Sequence, residues 1–156
     1  MLFPWLRWSR SSPLPPSAPA PSSDPPVARL APWHGRILIV EDDVELWPAL
    51  ERYSTRAKPG LQLDFVPSVQ EAELRLASYA RYDVVVTDCY LPEREGGNRV
   101  LESTIALQPW ARVGMMSGQS DAAPDGTPFL PKPFTPVGYR CFLRELLGWM
   151  DATTSL

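Results

Sequence analysis

The chain has 156 residues, 44% of them hydrophobic, which suffices for one core of roughly 100–150 residues. Residues 1–36 hold four Arg and one Asp, whereas 37–156 hold 11 Lys and Arg against 17 Asp and Glu. An acidic folded part lacks the basic stripe of a nucleic-acid surface, and no apolar run approaches the ~20 residues that span a bilayer.

The first segment, 1–35, opens on Met1-Leu2-Phe3-Pro4-Trp5-Leu6-Arg7-Trp8 and continues as a Pro/Ser/Ala tract from Ser11 to Pro26. A tract of this composition buries too little apolar surface to offset its ordering entropy, so it is expected to be disordered. Its aromatic start suits a membrane interface or a partner groove; an unstructured extension is the plainer reading. A signal peptide does not fit, because the apolar run is short, proline interrupts it and no basic residue precedes it.

From Arg36 onward, apolar runs alternate with amphipathic segments. Ile37–Glu41 is a continuous apolar run ending in acids, as expected of a strand buried on both faces. A helix is expected over 44–58, with Leu46, Ala49, Leu50 and Tyr53 at helical spacing. Pro48 requires that this helix start late or kink. Leu61–Val66 alternates like a less buried strand. Ser68-Val69-Gln70-Glu71 matches a capping box opening a helix to about Ala80, with Val69, Ala72, Leu76 and Tyr79 on one side. Tyr82–Asp88 is the most strongly β-forming run. Gly96-Gly97 is expected to break the chain before a helix from about Asn98 to Leu107. Val113–Ser117 reads as a fourth strand and Pro128–Pro131 as a short fifth. Thr135-Pro136 supplies an N-cap and an N1 proline for a last helix reaching about Met150. Between Ser117 and Thr127 there is room for one turn at most. This alternation implies an α/β fold, a doubly wound parallel sheet with right-handed crossovers. Cys89 and Cys141 show no metal-ligand spacing, so reduced thiols in a cytoplasmic protein are expected.

Chemistry gathers at the ends of these runs. Glu41-Asp42-Asp43, Asp88, Ser117 and Lys132, with Phe129 just before it, lie where the strand ends of an open parallel sheet line a ligand crevice. Glu41, Asp42 and Asp88 could hold a hard divalent cation such as Mg²⁺ through oxygen ligands. Clustered carboxylates repel one another and need a cation to share a site. A metal there would leave Asp88 free to attack phosphorus and form an acyl phosphate. Lys132 would pair with phosphate oxygens, and Ser117 would donate its hydroxyl to one of them.

Ile37-Leu38-Ile39-Val40-Glu41-Asp42-Asp43, Val85-Val86-Thr87-Asp88 with Leu91-Pro92, Met116-Ser117-Gly118 and Leu130-Pro131-Lys132-Pro133-Phe134 resemble the receiver domain of bacterial two-component response regulators. The resemblance covers about residues 36–150, leaving 151–156 as a C-terminal tail. It implies a flavodoxin-like three-layer sandwich, a five-stranded parallel sheet of order 2-1-3-4-5 flanked by helices. It also implies that Asp88 is the phosphoacceptor and that Glu41, Asp42 and Asp88 hold Mg²⁺. Ser117 and Lys132 then contact the phosphoryl group, and Phe129 is the switch aromatic. The Lys132–Pro133 bond matches a site often cis in the family.

Three features depart from the family pattern. The 15 residues from Ser117 to Lys132 are fewer than usual, so the family's fourth helix is expected to be shortened or absent. Tyr90 is bulky where the family often has smaller groups, and Phe129 is less polar than the usual switch residue. Only 24 residues follow Lys132, so no effector domain is expected there. The leading expectation is a stand-alone response regulator of a phosphorelay. It would be a phosphoacceptor rather than an enzyme, loaded by a sensor histidine kinase or phosphotransfer protein and signalling through a protein partner. Neither nucleic acid nor a membrane is expected among its partners. The alternative is a receiver-fold scaffold whose binding does not depend on phosphorylation. A haloacid-dehalogenase-type hydrolase would need an acid where Tyr90 stands.

Overall fold

The structure, a computed structural model, describes residues 35–93, 95–119 and 123–148. The expected disordered segment over 1–35, save Gly35, and the tail over 151–156 lie outside these residues. The apolar runs form five strands: β1 (Arg36–Val40), β2 (Gln62–Val66), β3 (Val84–Asp88), β4 (Arg112–Ser117) and β5 (Phe129–Pro131). They make one parallel sheet of order β2-β1-β3-β4-β5. The order reverses between β1 and β3, and such a switch point opens a crevice beyond the carboxyl ends of those two strands.

Ile37 to Val40 and Val84 to Val86 are fully buried, so β1 and β3 are covered on both faces. Successive strand residues point to opposite faces, and the two cores divide accordingly. Ile37, Ile39, Val84 and Val86 meet Leu50, Tyr139, Phe142 and Leu143 on one side. Leu38, Val40 and Val85 meet Val69, Ala72, Leu76 and Val100 on the other. The result is a three-layer sandwich, with α1 (Trp47–Ala57) and α4 (Pro136–Leu147) on one face and α2 (Val69–Leu76) and α3 (Gly96–Leu107) on the other.

The helix boundaries settle several open points. A 3-10 turn, Val44–Leu46, precedes α1, so Pro48 falls in the first turn, where a backbone N–H has no intrahelical partner. The late start is the observed solution. Ser68 Oγ accepts from Glu71 N at 3.2 Å and caps α2 as expected. That helix ends at Leu76, short of Ala80, and Tyr79 is fully exposed rather than on the buried side. The cause is local: Ser78 Oγ donates to Arg75 O and accepts from Ala80 N, diverting the chain into a turn.

Gly96 and Gly97 begin α3 instead of preceding it. A Cβ on Gly97 would lie 2.6 Å from both Asp88 O and Cys89 Cα, so only a bare residue lets α3 start directly against the end of β3. Thr135 Oγ1 accepts from Gly138 N at 3.0 Å, Pro136 is N1, and α4 ends at Leu147 with Gly148 in the left-handed region, earlier than Met150. A Cβ on Gly114 would lie 2.5 Å from Leu146 and Phe142, and its absence lets α4 pack directly on β4. Among the described residues no helix lies between β4 and β5, which matches the short interval there.

Candidate functional site

β1 ends at Val40 and β3 at Asp88, side by side in register, so Glu41 and Asp88 emerge together at the crevice. Glu41 is held by its own backbone: its N–H donates to Val66 O at 3.0 Å, and its carbonyl accepts from Trp47 Nε1 at 2.9 Å. The Trp47 ring stacks on Phe65 at 5.3 Å, fixing the chain just past the acids. Trp47 is a positioning residue that the spacing pattern did not reveal. Its only signal was a lone Trp six residues after Glu41.

Glu41 is 1% exposed and Asp88 7%, whereas Asp42 faces solvent. One carboxylate oxygen from each of the three lies within 4.8 Å of the others. Asp43, next in sequence, is otherwise engaged, since its carboxylate caps the 3-10 turn through Glu45 N at 3.1 Å. Lys132 Nζ donates to Glu41 at 2.8 and 3.1 Å and also to Asp88 Oδ2. The Lys132–Pro133 peptide is cis, as the resemblance implied. Lys132 N donates to Ser117 O at 2.6 Å, which ties the lysine loop to the end of β4.

Burial pushes the Glu41 carboxyl above its ordinary value, opposed by the Lys132 ammonium beside it. Burial alone would lower the Lys132 ammonium, but the hydrogen bonds to Asp88 and Glu41 outweigh it and raise it. Three carboxylates against one ammonium leave two negative charges in one partly buried spot. Hard oxygen donors with that charge fit a divalent cation such as Mg²⁺. Glu41, Asp42 and Asp88 are the residues that would hold it.

The remaining expected residues surround Asp88. Ser117 is fully buried at the end of β4, and its Oγ accepts from Gln119 N at 3.0 Å. Cys89, next to Asp88, is buried, and that burial raises its thiol to about 11, so it is a packing group rather than a nucleophile. Phe129 opens β5 opposite Met115 and is half-buried, three residues before Lys132. Tyr90 N donates to Asp88 Oδ1 at 2.9 Å, and the Tyr90 hydroxyl donates to Gln119 Oε1 at 2.7 Å. This bond closes one side of the crevice.

No family model and no curated protein matches the chain. Solved structures do. The receiver domain of the hybrid histidine kinase CckA is 26% identical, with a TM-score of 0.61 over 72% of this chain and 98% of that one. A chemotaxis response regulator of Vibrio cholerae is 20% identical, with a TM-score of 0.60 over 71% of this chain and 97% of that one. The receiver domain of a sensor histidine kinase from Pseudomonas aeruginosa, described with a magnesium ion in its active-site cleft, is 21% identical. Its TM-score is 0.59 over 72% of this chain and 97% of that one. The chain therefore has the receiver fold.

Proposed function

We propose that this domain is the phosphoacceptor of a two-component phosphorelay, taking a phosphoryl group onto Asp88 from a histidine kinase or a phosphotransfer protein. The observation that carries the reading is the triad of Glu41, Asp88 and Lys132 at the carboxyl ends of neighbouring strands. One ammonium bridges two buried carboxylates there, with a third carboxylate in reach. The receiver fold shared with domains of two histidine kinases supports the phosphodonor class.

In the transfer, an Asp88 carboxylate oxygen attacks the phosphorus of a phosphohistidine. The phosphorus–nitrogen bond breaks, and its electron pair returns to the imidazole, which takes up a proton. Asp88 is oriented for this by the Tyr90 backbone N–H on one carboxylate oxygen and by the Lys132 ammonium on the other. As the new acyl phosphate forms, Lys132 offers its N–H donors to the phosphoryl oxygens, and Ser117 lies one strand away to donate its hydroxyl. A divalent cation, when bound to Glu41, Asp42 and Asp88, supplies positive charge against the phosphoryl oxygens. Asp88 is consumed and regenerated only by hydrolysis, so the domain is a signalling acceptor and not an enzyme acting on a separate substrate. It works in the cytoplasm, where the phosphodonor kinase domains act, and it passes the signal to a protein partner.

The test is intact-mass analysis after incubation with acetyl phosphate and Mg²⁺. One phosphoryl group should be gained, and both Asp88→Asn and EDTA should abolish the gain. Unchanged mass of the wild-type protein under these conditions would favour the phosphorylation-independent scaffold.

A further inference from the structure

At the end of the sheet opposite the acidic site lies a second surface, formed where α2 and α3 run out. A groove of about 300 Å³ is lined there by Tyr79, Arg81, Leu107 and Trp110. Tyr79 is fully exposed, Leu107 is 45% exposed and Trp110 41%. Exposed apolar groups gathered around one groove, unlike ones scattered singly, mark interaction sites. The Arg81 guanidinium lies over the Trp110 ring at 4.1 Å, yet its Nε is buried with no hydrogen-bond partner among the described residues. The groove therefore combines exposed aromatic surface, part of it stacked with a guanidinium, with an unsatisfied cationic donor.

We propose that this groove binds the chain's own proline tract, Pro19–Pro26. Pro-rich segments dock in aromatic-lined grooves because their preformed helix loses little entropy on binding. The tract's position in the chain fits. Gly35 and Arg36 sit at the same end of the sheet as the groove. Arg36 exchanges two hydrogen bonds with Asp83, at 3.0 and 2.9 Å, one strand spacing (~4.8 Å) away. Tyr82, adjacent to Asp83, accepts from Trp110 Nε1 at 3.1 Å through its carbonyl. The nine residues from Pro26 to Gly35 can span at most about 30 Å, several times that strand spacing. A tether so short gives an effective concentration on the order of millimolar, so even a weak contact is populated. Charge also fits: Asp24, the one carboxylate in residues 1–34, lies within the tract and complements the Arg81 guanidinium.

Paramagnetic relaxation in the full chain tests this. A nitroxide on Ser22→Cys, with the exposed Cys141 replaced by Ser, should broaden the amides of Ser78 to Arg81 and Leu107 to Ala111. It should broaden them more than those of Gln62 to Asp64, which flank Gly35 from the other side. Trp110→Ala should remove this preference. Because that substitution also deletes the bond to Tyr82, the combined Pro21→Ser, Pro25→Ser and Pro26→Ser variant provides a second check that leaves the domain untouched, and it too should lose the preference. Equal broadening of both flanks, insensitivity to the proline substitutions, or broadening seen only between mixed labelled and unlabelled chains would overturn the proposal.

Discussion

The Tyr90 hydroxyl donates to Gln119 Oε1 at 2.7 Å, so the loop after β3 is latched to the loop after β4 beside Asp88. The backbone of the same tyrosine donates to Asp88 Oδ1, so the tyrosine is anchored beside that carboxylate. If Asp88 carries an acyl phosphate as proposed, the water that hydrolyses it must approach in line with the phosphorus–oxygen bond, past this latch.

Removing the latch should therefore shorten the life of the phosphorylated state. Tyr90→Ala is expected to speed hydrolysis several-fold, on the order of 1 kcal/mol in barrier. Tyr90→Phe and Gln119→Ala should each give part of that effect. Decay of the phosphorylated mass with time measures it, and an unchanged or longer lifetime in Tyr90→Ala would remove the latch from the account.

Lys132 is the counter-charge of a carboxylate that is only 1% exposed. Lys132→Met should cost roughly 3 kcal/mol at neutral pH, because Glu41 is left ionised and buried without a partner. The sign of the pH dependence follows from the raised Glu41 carboxyl. Its native state keeps a proton that the unfolded chain gives up, so stability falls as pH rises above the ordinary value of 4.5 toward the folded value. The penalty of the variant should thus shrink as the pH is lowered toward 4.5. Urea melts of both proteins at several pH values decide this.

Trp47 fixes the Glu41 carbonyl and stacks on Phe65. Trp47→Phe keeps a ring but deletes the hydrogen bond, worth about 1 kcal/mol. If that bond positions Glu41 for a cation, calorimetric titration with Mg²⁺ should show an affinity lower by several-fold to tenfold. Equal affinity would make Trp47 a packing residue only.

Much of this arrangement was legible in the sequence because it is local. Apolar runs ending in Glu41, Asp88 and Ser117 marked the strand ends, and Ser68 and Thr135-Pro136 marked helix starts by side-chain chemistry within three residues. The contacts that escaped are long-range. Trp47 on Glu41, Tyr82 on Trp110 and the bare Gly97 against Cys89 depend on how elements cross, which periodicity does not encode. Tyr79 shows the reverse case: helical spacing put it on the buried face, and one Ser78 turn took it off.

Tyr139 offers a test of the core itself. It is fully buried, bonded to Ser54 at 3.1 Å, and burial pushes its hydroxyl up to about 12 from 10. The native state keeps a proton that the unfolded chain loses above pH 10, so this stabilisation is complete below pH 10 and fades toward pH 12. The loss is roughly 1.4 kcal/mol per pH unit. Tyr82 behaves alike, also raised to about 12 by burial and then by Asp64. Cys89, raised to about 11, adds to the same slope, so Tyr139→Phe should lower it by roughly a third just above pH 10 in chemical melts, at a cost of about 1 kcal/mol at neutral pH. An unaltered slope would mean that the core opens before this group ionises.

The central claim is that Asp88 itself carries the phosphoryl group. An acyl phosphate is reduced by borohydride to the corresponding alcohol, which turns a phosphorylated aspartate into homoserine. Protein treated with acetyl phosphate and Mg²⁺, quenched with borohydride and digested, should yield homoserine at position 88 and nowhere else. The EDTA control should yield none. Homoserine at Asp42 or Asp43, or aspartate unchanged at position 88 while the protein has gained a phosphoryl group, would contradict the account.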